Sequence, residues 1–177
     1  MKIHIEDVIH FPRELAYQTY RDEIVNLVPY LPNIQSIEVL ERETLPNGDT
    51  RFLNLWKAAE TEIPTVVRPF IKPELMKWHD YAVWHNGAWS CDWRTEVAFL
   101  KDQVKAGGTN VYIPQGDNAV KIVIQGEITV DAHKIPGIPG LMAGRIGSTV
   151  ESFVVKLIEP NLKGINRGLE RYLQSKK

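Results

Sequence analysis

Hydrophobic and polar residues alternate clearly between residues 76 and 99, and this alternation predicts a β-hairpin. The dipeptide Asn86-Gly87 at its centre favours a two-residue turn, because both turn positions need φ > 0 and these residues tolerate it. Counting outward from that turn places Trp84 opposite Trp89 and fixes the face on which every other side chain lies. One face then carries four of the chain's five tryptophans and a single carboxylate: Trp78, Asp80, Ala82, Trp84, Trp89, Cys91, Trp93, Thr95 and Val97.

A second hairpin is predicted over residues 34–60, with Asn47-Gly48 in its turn. Its register leaves two orientations open. Glu38 opposite Lys57 makes a sensible solvent-facing pair, which favours the orientation with four apolar side chains inside: Ile37, Val39, Phe52 and Trp56. The same orientation turns two polar residues, Glu41 and Asn54, toward the interior. A cluster of leucines argues for the opposite orientation: Leu40, Leu53 and Leu55.

The remaining patterns predict a helix at each end of the chain. The first runs from Pro12, which suits a first helical turn, to about Asn26. The second runs over 150–173, where an apolar stripe repeats at helical spacing, and Pro160 should kink it. Further strands are expected at about 2–10, 107–114 and 119–132.

Two proline-rich apolar segments, 63–71 and 135–141, do not fit a strand or a long helix. Each could simply redirect the chain. Because one small domain needs few such connectors, we favour the alternative that both form a lid over a cavity.

Composition favours one soluble domain covering 1–177. The chain has 177 residues, of which 44% are hydrophobic and 24% charged, and this is ordinary for a globular protein. A net charge of −1 gives no support for nucleic-acid binding. No stretch is apolar enough for a membrane span or a signal peptide, and Cys91 has no second cysteine to pair with. A cytoplasmic protein without stable membrane insertion is therefore expected, while the oligomeric state is left open.

The order of elements, β-α-(α)-β-β-β-β-β-β-α, resembles the START-like helix-grip superfamily, which includes birch-pollen-allergen-like proteins and polyketide cyclases. The resemblance rests on that order, on Asn33-Ile34 through Val39-Leu40, on the aromatic Ala88–Thr95 strand and on the closing helix. An uncharacterised bacterial branch is the most similar. The resemblance implies an α+β fold in which a curved antiparallel sheet of about seven strands wraps around a long C-terminal helix, with an elongated apolar cavity between the sheet and the helix. Plant members carry a glycine-rich loop where this chain has the compact turn Pro46–Asp49, so nothing is inferred from that loop.

The inward tryptophans can be interpreted in two ways, as filled core or as the wall of a ligand cavity. Asp80 among them is either a buried structural acceptor, with Trp93 Nε1 as a candidate donor, or a group that orients or protonates a ligand. The histidine spacing fits no metal motif, and no cofactor-binding motif is present. The candidate ligand-binding residues are Glu41, Asn54, Trp56, Trp78, Asp80, Trp84, Trp89, Trp93, Phe153 and Leu157.

These features favour the binding of a small hydrophobic molecule such as a lipid, a sterol-like compound or a polyketide, with its transport as an extension of that function. One alternative is an enzyme of the cyclase or aromatase kind, with Asp80 or Glu41 as its acid or base. Another is a protein-interaction domain whose core is filled. Binding is favoured over catalysis, because the sequence shows no converging pair of an acid and a base.

Overall fold

In the part of the chain that the structure describes, seven strands, numbered β1 to β7 along the chain, form one antiparallel sheet in the order β1-β7-β6-β5-β4-β3-β2. The computed structural model describes residues 1–59, 76–97, 103–131 and 162–177. A helix, α1, and a short 3-10 helix join β1 to β2, and a second helix, α2, is described from 162 to 175. The bounds are β1 Lys2–Ile9, α1 Arg13–Glu23, 3-10 helix Ile24–Tyr30, β2 Ile34–Thr44, β3 Thr50–Ala58, β4 Lys77–His85, β5 Ser90–Glu96, β6 Val104–Pro114 and β7 Val120–Val130.

Both helices pack on one face of the sheet, which is called the inner face below. Alternate residues of the strands are buried on it, as in β3, where every second side chain is buried and those between are partly or fully exposed. Helix α2 contributes buried Ile165, Leu169 and Leu173 to the same core. A Cβ on Gly168 would lie 2.6 Å from Leu31 Cδ2, so α2 contacts the segment before β2 too closely for a larger residue.

The predicted α+β helix-grip architecture is confirmed, with an antiparallel sheet and a helix toward each end. The first helix is shorter than expected, since α-helical geometry ends at Glu23 and continues as the 3-10 helix that contains Pro29. The predicted start of the second helix, the kink at Pro160 and both proline-rich segments lie outside the described residues.

The register counted from Asn86-Gly87 is wrong by two residues. The loop between β4 and β5 has four residues, 86–89, so Trp84 pairs with Cys91 and His85 with Ser90. The left-handed residue of this loop is Trp89, with φ 54°, instead of the Asn-Gly pair. Because a slip of two equals the side-chain period of a strand, the strand residues predicted on the inward face keep that face, whereas Trp89 belongs to the loop.

A β-bulge corrects the prediction for the second hairpin. The register shifts between Val39 and Glu41, so Arg42 pairs with Phe52 on the inner face, while Glu41 pairs with Leu53 on the outer face. The prediction that Glu41 faces the interior is therefore wrong, and the side chain is exposed. Of the four apolar residues predicted to face inward, three are buried and one is not. Ile37, Phe52 and Trp56 are buried, whereas Val39 is 39% exposed on the edge strand.

Candidate functional site

Four residues of β3 and β4 come together on the inner face and are called the Asp80 site: Asn54, Trp56, Trp78 and Asp80. Strand pairing places Asn54 opposite Asp80 and Trp56 opposite Trp78. Asn54 and Trp56 are buried, and Trp78 and Asp80 are partly exposed. Since directly opposed side chains in an antiparallel pair lie about 5 Å apart at Cβ, the four groups form one contiguous patch.

The Asp80 carboxyl has one described hydrogen bond, which Asn54 Nδ2 donates to its Oδ2 over 3.1 Å. Burial raises the pKa of Asp80 to about 6, and the Asn54 amide and the nearby Trp56 indole N–H oppose that rise. Asp80 thus titrates close to neutral pH, and it is mainly ionised at pH 8. The sequence-based candidate donor was incorrect, because the Trp93 indole N–H donates to Asn110 instead of Asp80.

Two buried polar atoms of this site have no hydrogen-bond partner in the described part of the chain: Asn54 Oδ1 and Trp56 Nε1. The Trp56 N–H is near enough to lower the pKa of Asp80, yet it makes no hydrogen bond of normal geometry there. One orphan is an acceptor and the other is a donor. Buried polar groups are rarely left unpaired, because each costs about 1–3 kcal/mol.

The indoles of Trp56 and Trp78 stack, with centroids 5.9 Å apart and planes 19° from parallel. Trp93 lies in the middle of the inner face, where its Nε1 donates to Asn110 Oδ1 over 2.9 Å. A Cβ on Gly126 would lie 3.0 Å from the Trp93 ring, so glycine makes room for this indole. Trp93 therefore has a complete structural role, since its ring is buried and its N–H is satisfied.

A second aromatic group, the helix-side cluster, fills the inner face beneath α1 and consists of Tyr17, Trp84, Trp89 and Tyr112. Tyr17 contacts the other three rings edge to face, at centroid distances of 5.1–5.3 Å. The guanidinium of Arg13 lies 4.2 Å from the Trp89 ring centroid. Trp84 and Trp89 thus pack against α1, and Trp84 lies six residues, about 20 Å along the strand, from Trp78.

Sequence reasoning missed Tyr17 and Asn110. Tyr17, Tyr20 and Ile24 follow the 3.6-residue period of a helix, which predicts that they share one face. The structure buries all three, so this spacing could have identified Tyr17 as an inward residue. The two-residue spacing from Tyr112 likewise places Asn110 on the inner face. Cys91 is buried, and burial raises the pKa of its thiol, as expected for an unreactive side chain. Phe153 and Leu157 lie outside the described residues.

A separate open cleft of about 390 Å³ lies where the start of α1 meets the chain end, lined by His10, Phe11, Leu173 and Lys176 among others. It includes no residue of the Asp80 site. Across the described residues, no group of three or more histidine, cysteine, aspartate or glutamate side chains could hold a metal ion. No described helix is both long and apolar enough to cross a membrane.

The fold is similar to solved structures over the whole chain. The Zhui aromatase/cyclase from Streptomyces sp. R1128 aligns with TM-score 0.72 and 12% identity, covering 100% of this chain and 96% of the other. A protein from Thermus thermophilus gives 0.69 and 21%, with 100% and 99% covered. Norcoclaurine synthase from Thalictrum flavum, in complex with dopamine and hydroxybenzaldehyde, gives 0.61 and 15%, with 100% and 88% covered.

No protein-family model matches the sequence, and no curated protein matches it either. The structural likenesses nevertheless agree with the element order and with the sheet topology. The chain has the helix-grip fold that these structures share.

Proposed function

We propose that this protein binds a small hydrophobic ligand on the inner face of the sheet, at the Asp80 site. The observation that carries the proposal is the pair of orphaned polar atoms, Asn54 Oδ1 and Trp56 Nε1, beside the partly exposed residue Asp80. A ligand that pairs with them would remove their desolvation cost.

The surroundings of these atoms suit a mainly apolar molecule. Ligand sites are lined largely by apolar and aromatic groups with a few placed polar ones, and the Asp80 site has that composition. The near-parallel stack of Trp56 and Trp78 extends as a flat indole surface, which favours a ring system over an acyl chain. Among the classes expected from the sequence, a polyketide or a sterol-like compound is therefore favoured over a simple lipid.

The similar structures support this proposal at the level of the fold. One of them is an aromatase/cyclase, and another was solved with dopamine and hydroxybenzaldehyde bound. Transport of the ligand, as opposed to binding alone, and a cytoplasmic location are further parts of the proposal. The proposed cytoplasmic location rests on the lone cysteine, which fits a reducing compartment.

A neutral fluorescent probe, N-phenyl-1-naphthylamine, tests the proposal, because its emission rises when it enters an apolar site. We expect saturable binding to the wild type and a roughly fivefold to hundredfold loss of affinity in Trp78→Ala, which removes a large apolar contact surface. Trp89→Ala is the matched control, since it deletes the same side chain from the helix-side cluster.

Three outcomes are distinguishable. Loss in Trp78→Ala with little change in Trp89→Ala supports the Asp80 site. A larger loss in Trp89→Ala would move the site toward α1, and equal losses in the two variants or no probe binding at any concentration would contradict the proposal. Urea denaturation of each variant shows whether it is folded under the binding conditions.

A second candidate function, an enzyme of the cyclase or aromatase kind, is favoured by one observation. The pKa of Asp80 is about 6, and a general acid or base works best when its pKa lies close to the pH of the reaction. Native mass spectrometry of a compound that co-purifies with the protein separates the two functions. A ligand recovered with unchanged mass after incubation supports binding, whereas conversion that is lost in Asp80→Asn supports catalysis.

A further inference from the structure

The orphaned atoms of the Asp80 site specify what a ligand must present to them. Asn54 Oδ1 lacks a donor, and Trp56 Nε1 lacks an acceptor in normal hydrogen-bond geometry, although the Asp80 carboxyl lies near it. Both belong to buried side chains two residues apart on β3, so they project from the same face of one strand. A group that is at once donor and acceptor could satisfy both.

Asp80 determines how the Asn54 amide is presented. An ionised carboxylate only accepts hydrogen bonds, so it holds the Nδ2 end of the amide toward itself, as the 3.1 Å bond shows. The carbonyl end, Oδ1, is consequently left for another partner. Asp80 is in this respect a positioning residue for Asn54.

We infer that the ligand carries an uncharged hydroxyl group at the end that enters the Asp80 site. This hydroxyl donates to Asn54 Oδ1 and accepts from Trp56 Nε1, and the inference rests on the proposed function. Ketone, ether and ammonium groups satisfy only one of the two. A ketone or an ether accepts from Trp56 but offers nothing to Asn54, and an ammonium donates to Asn54 but cannot accept from Trp56.

A carboxylate is the least suitable group, because it would leave Asn54 Oδ1 unpaired and would be repelled by the ionised Asp80. The cation that the bulge places on the inner face of β2, Arg42, is already paired with Asp22 over 2.9 Å. Fatty-acid-like anions should therefore bind poorly by their charged end, whereas alcohols and phenols of similar size should bind well.

Four naphthalenes of similar shape test this at pH 8 by displacing N-phenyl-1-naphthylamine: naphthalene, 2-methoxynaphthalene, 2-naphthol and 2-naphthoate. We expect 2-naphthol to bind about tenfold more tightly than 2-methoxynaphthalene, which accepts but cannot donate. We expect 2-naphthoate to bind at least about tenfold more weakly than 2-naphthol, for the reasons given above.

Two variants connect the preference to these atoms. Trp56→Phe keeps an aromatic ring but removes the N–H, so the ratio of 2-naphthol affinity to naphthalene affinity should fall about threefold or more, because both compounds lose the same contact with the indole. Asn54→Leu should abolish the preference for 2-naphthol over 2-methoxynaphthalene. If Asn54→Leu does not fold, Trp56→Phe alone tests whether the preference for the hydroxyl group depends on this site.

The failures are separable. Equal binding of 2-naphthol and 2-methoxynaphthalene, or tightest binding of 2-naphthoate, would overturn the hydroxyl inference and leave the binding function intact. Probe binding that none of the four compounds displaces would do the same. Absence of probe binding would overturn both.

Discussion

The two ends of the inner face use the same residue types in different ways. In the helix-side cluster, Tyr17 meets Trp84 at 84° and Trp89 at 72°, so the rings interlock and fill the space beneath α1. At the Asp80 site, Trp56 and Trp78 lie 19° from parallel and share the surface with a titratable carboxyl. Edge-to-face packing closes a core, whereas parallel stacking continues naturally onto a further flat ring.

The polar atoms of the two ends differ as well. Tyr17 Oη donates to the Ser90 carbonyl oxygen over 3.3 Å. The Tyr112 hydroxyl is buried without a described partner, so the helix-side cluster is not free of orphans. At the Asp80 site, however, an unpaired acceptor and an unpaired donor adjoin the partly exposed residue Asp80. An aromatic patch is thus better judged as a ligand site by its unsatisfied polar atoms than by its number of rings.

The largest expected effect compares one indole from each end. Trp84→Ala should lower the free energy of unfolding by about 3–5 kcal/mol, because a fully buried ring is deleted and a cavity is left. Trp78→Ala should cost about half as much, since that ring is only partly buried. Urea denaturation measures both changes, and equal costs would remove the distinction between the two ends.

The next effect concerns the charge of Asp80. Its pKa is raised from 3.8 to about 6 in the folded protein, so ionisation costs stability as the pH rises through that interval. Asp80→Asn should therefore stabilise the protein above pH 6, by at most about 3 kcal/mol and by less because the residue is partly exposed. The gain should vanish near pH 4, where the group is largely neutral in the folded state and its ionisation costs little. Thermal unfolding at pH 4 and pH 8 tests this, and a gain that is independent of pH would contradict it.

A third effect lies at the boundary between the two ends. Gly126→Ala would place a methyl group 3.0 Å from the Trp93 ring and 2.7 Å from the Gly107 carbonyl oxygen. We expect a loss of about 1–3 kcal/mol in stability and a displaced Trp93. Near-ultraviolet circular dichroism follows the indole, and Gly164→Ala, where nothing lies within 4 Å of the new Cβ, is the control.

The smallest effect comes from the loops at the end of the sheet near α1. His85 Nδ1 lies 2.7 Å from Asp49, and Nε2 lies 3.2 Å from Asp92. The hydrogen bond to Asp49, above all, raises the pKa of His85. The stability that protonated His85 gains from Asp49 is therefore complete below about pH 6.5, the pKa of His85 in the unfolded chain. It is lost as the pH rises through the higher pKa of His85 in the folded protein. His85→Gln should cost about 1 kcal/mol or less at pH 6 and nothing measurable at pH 9, as chemical denaturation at the two pH values would show.

Most of the fold could be predicted from the sequence because the side-chain periods of strands and helices are strong signals. The inward face of the β4–β5 hairpin was correct despite a register error, since a slip of two preserves it. The loop itself was mispredicted because a four-residue loop accepts the same Asn-Gly sequence, with the positive φ falling on Trp89. Which face each residue takes is therefore better encoded than which residue it meets.

The site was only partly predictable for a related reason. Counting within one hairpin cannot pair Asn54 with Asp80, because they belong to β3 and β4, which no short turn connects. The bulge that moved Glu41 outward also has no residue signature, since none of its residues is a glycine. Asp80 and the tryptophans were found by pattern, but their partners required the assembled sheet.

The bulge in β2 has a consequence for how copies of the protein meet. β2 forms one edge of the described sheet, and its exposed backbone would otherwise be a template for strand addition by another chain. Two register shifts interrupt this edge, between Ile34 and Ser36 and between Val39 and Glu41, and charged side chains follow along it. An interrupted, charged edge resists edge-to-edge aggregation, so the exposed Val39 and Leu40 can be tolerated there.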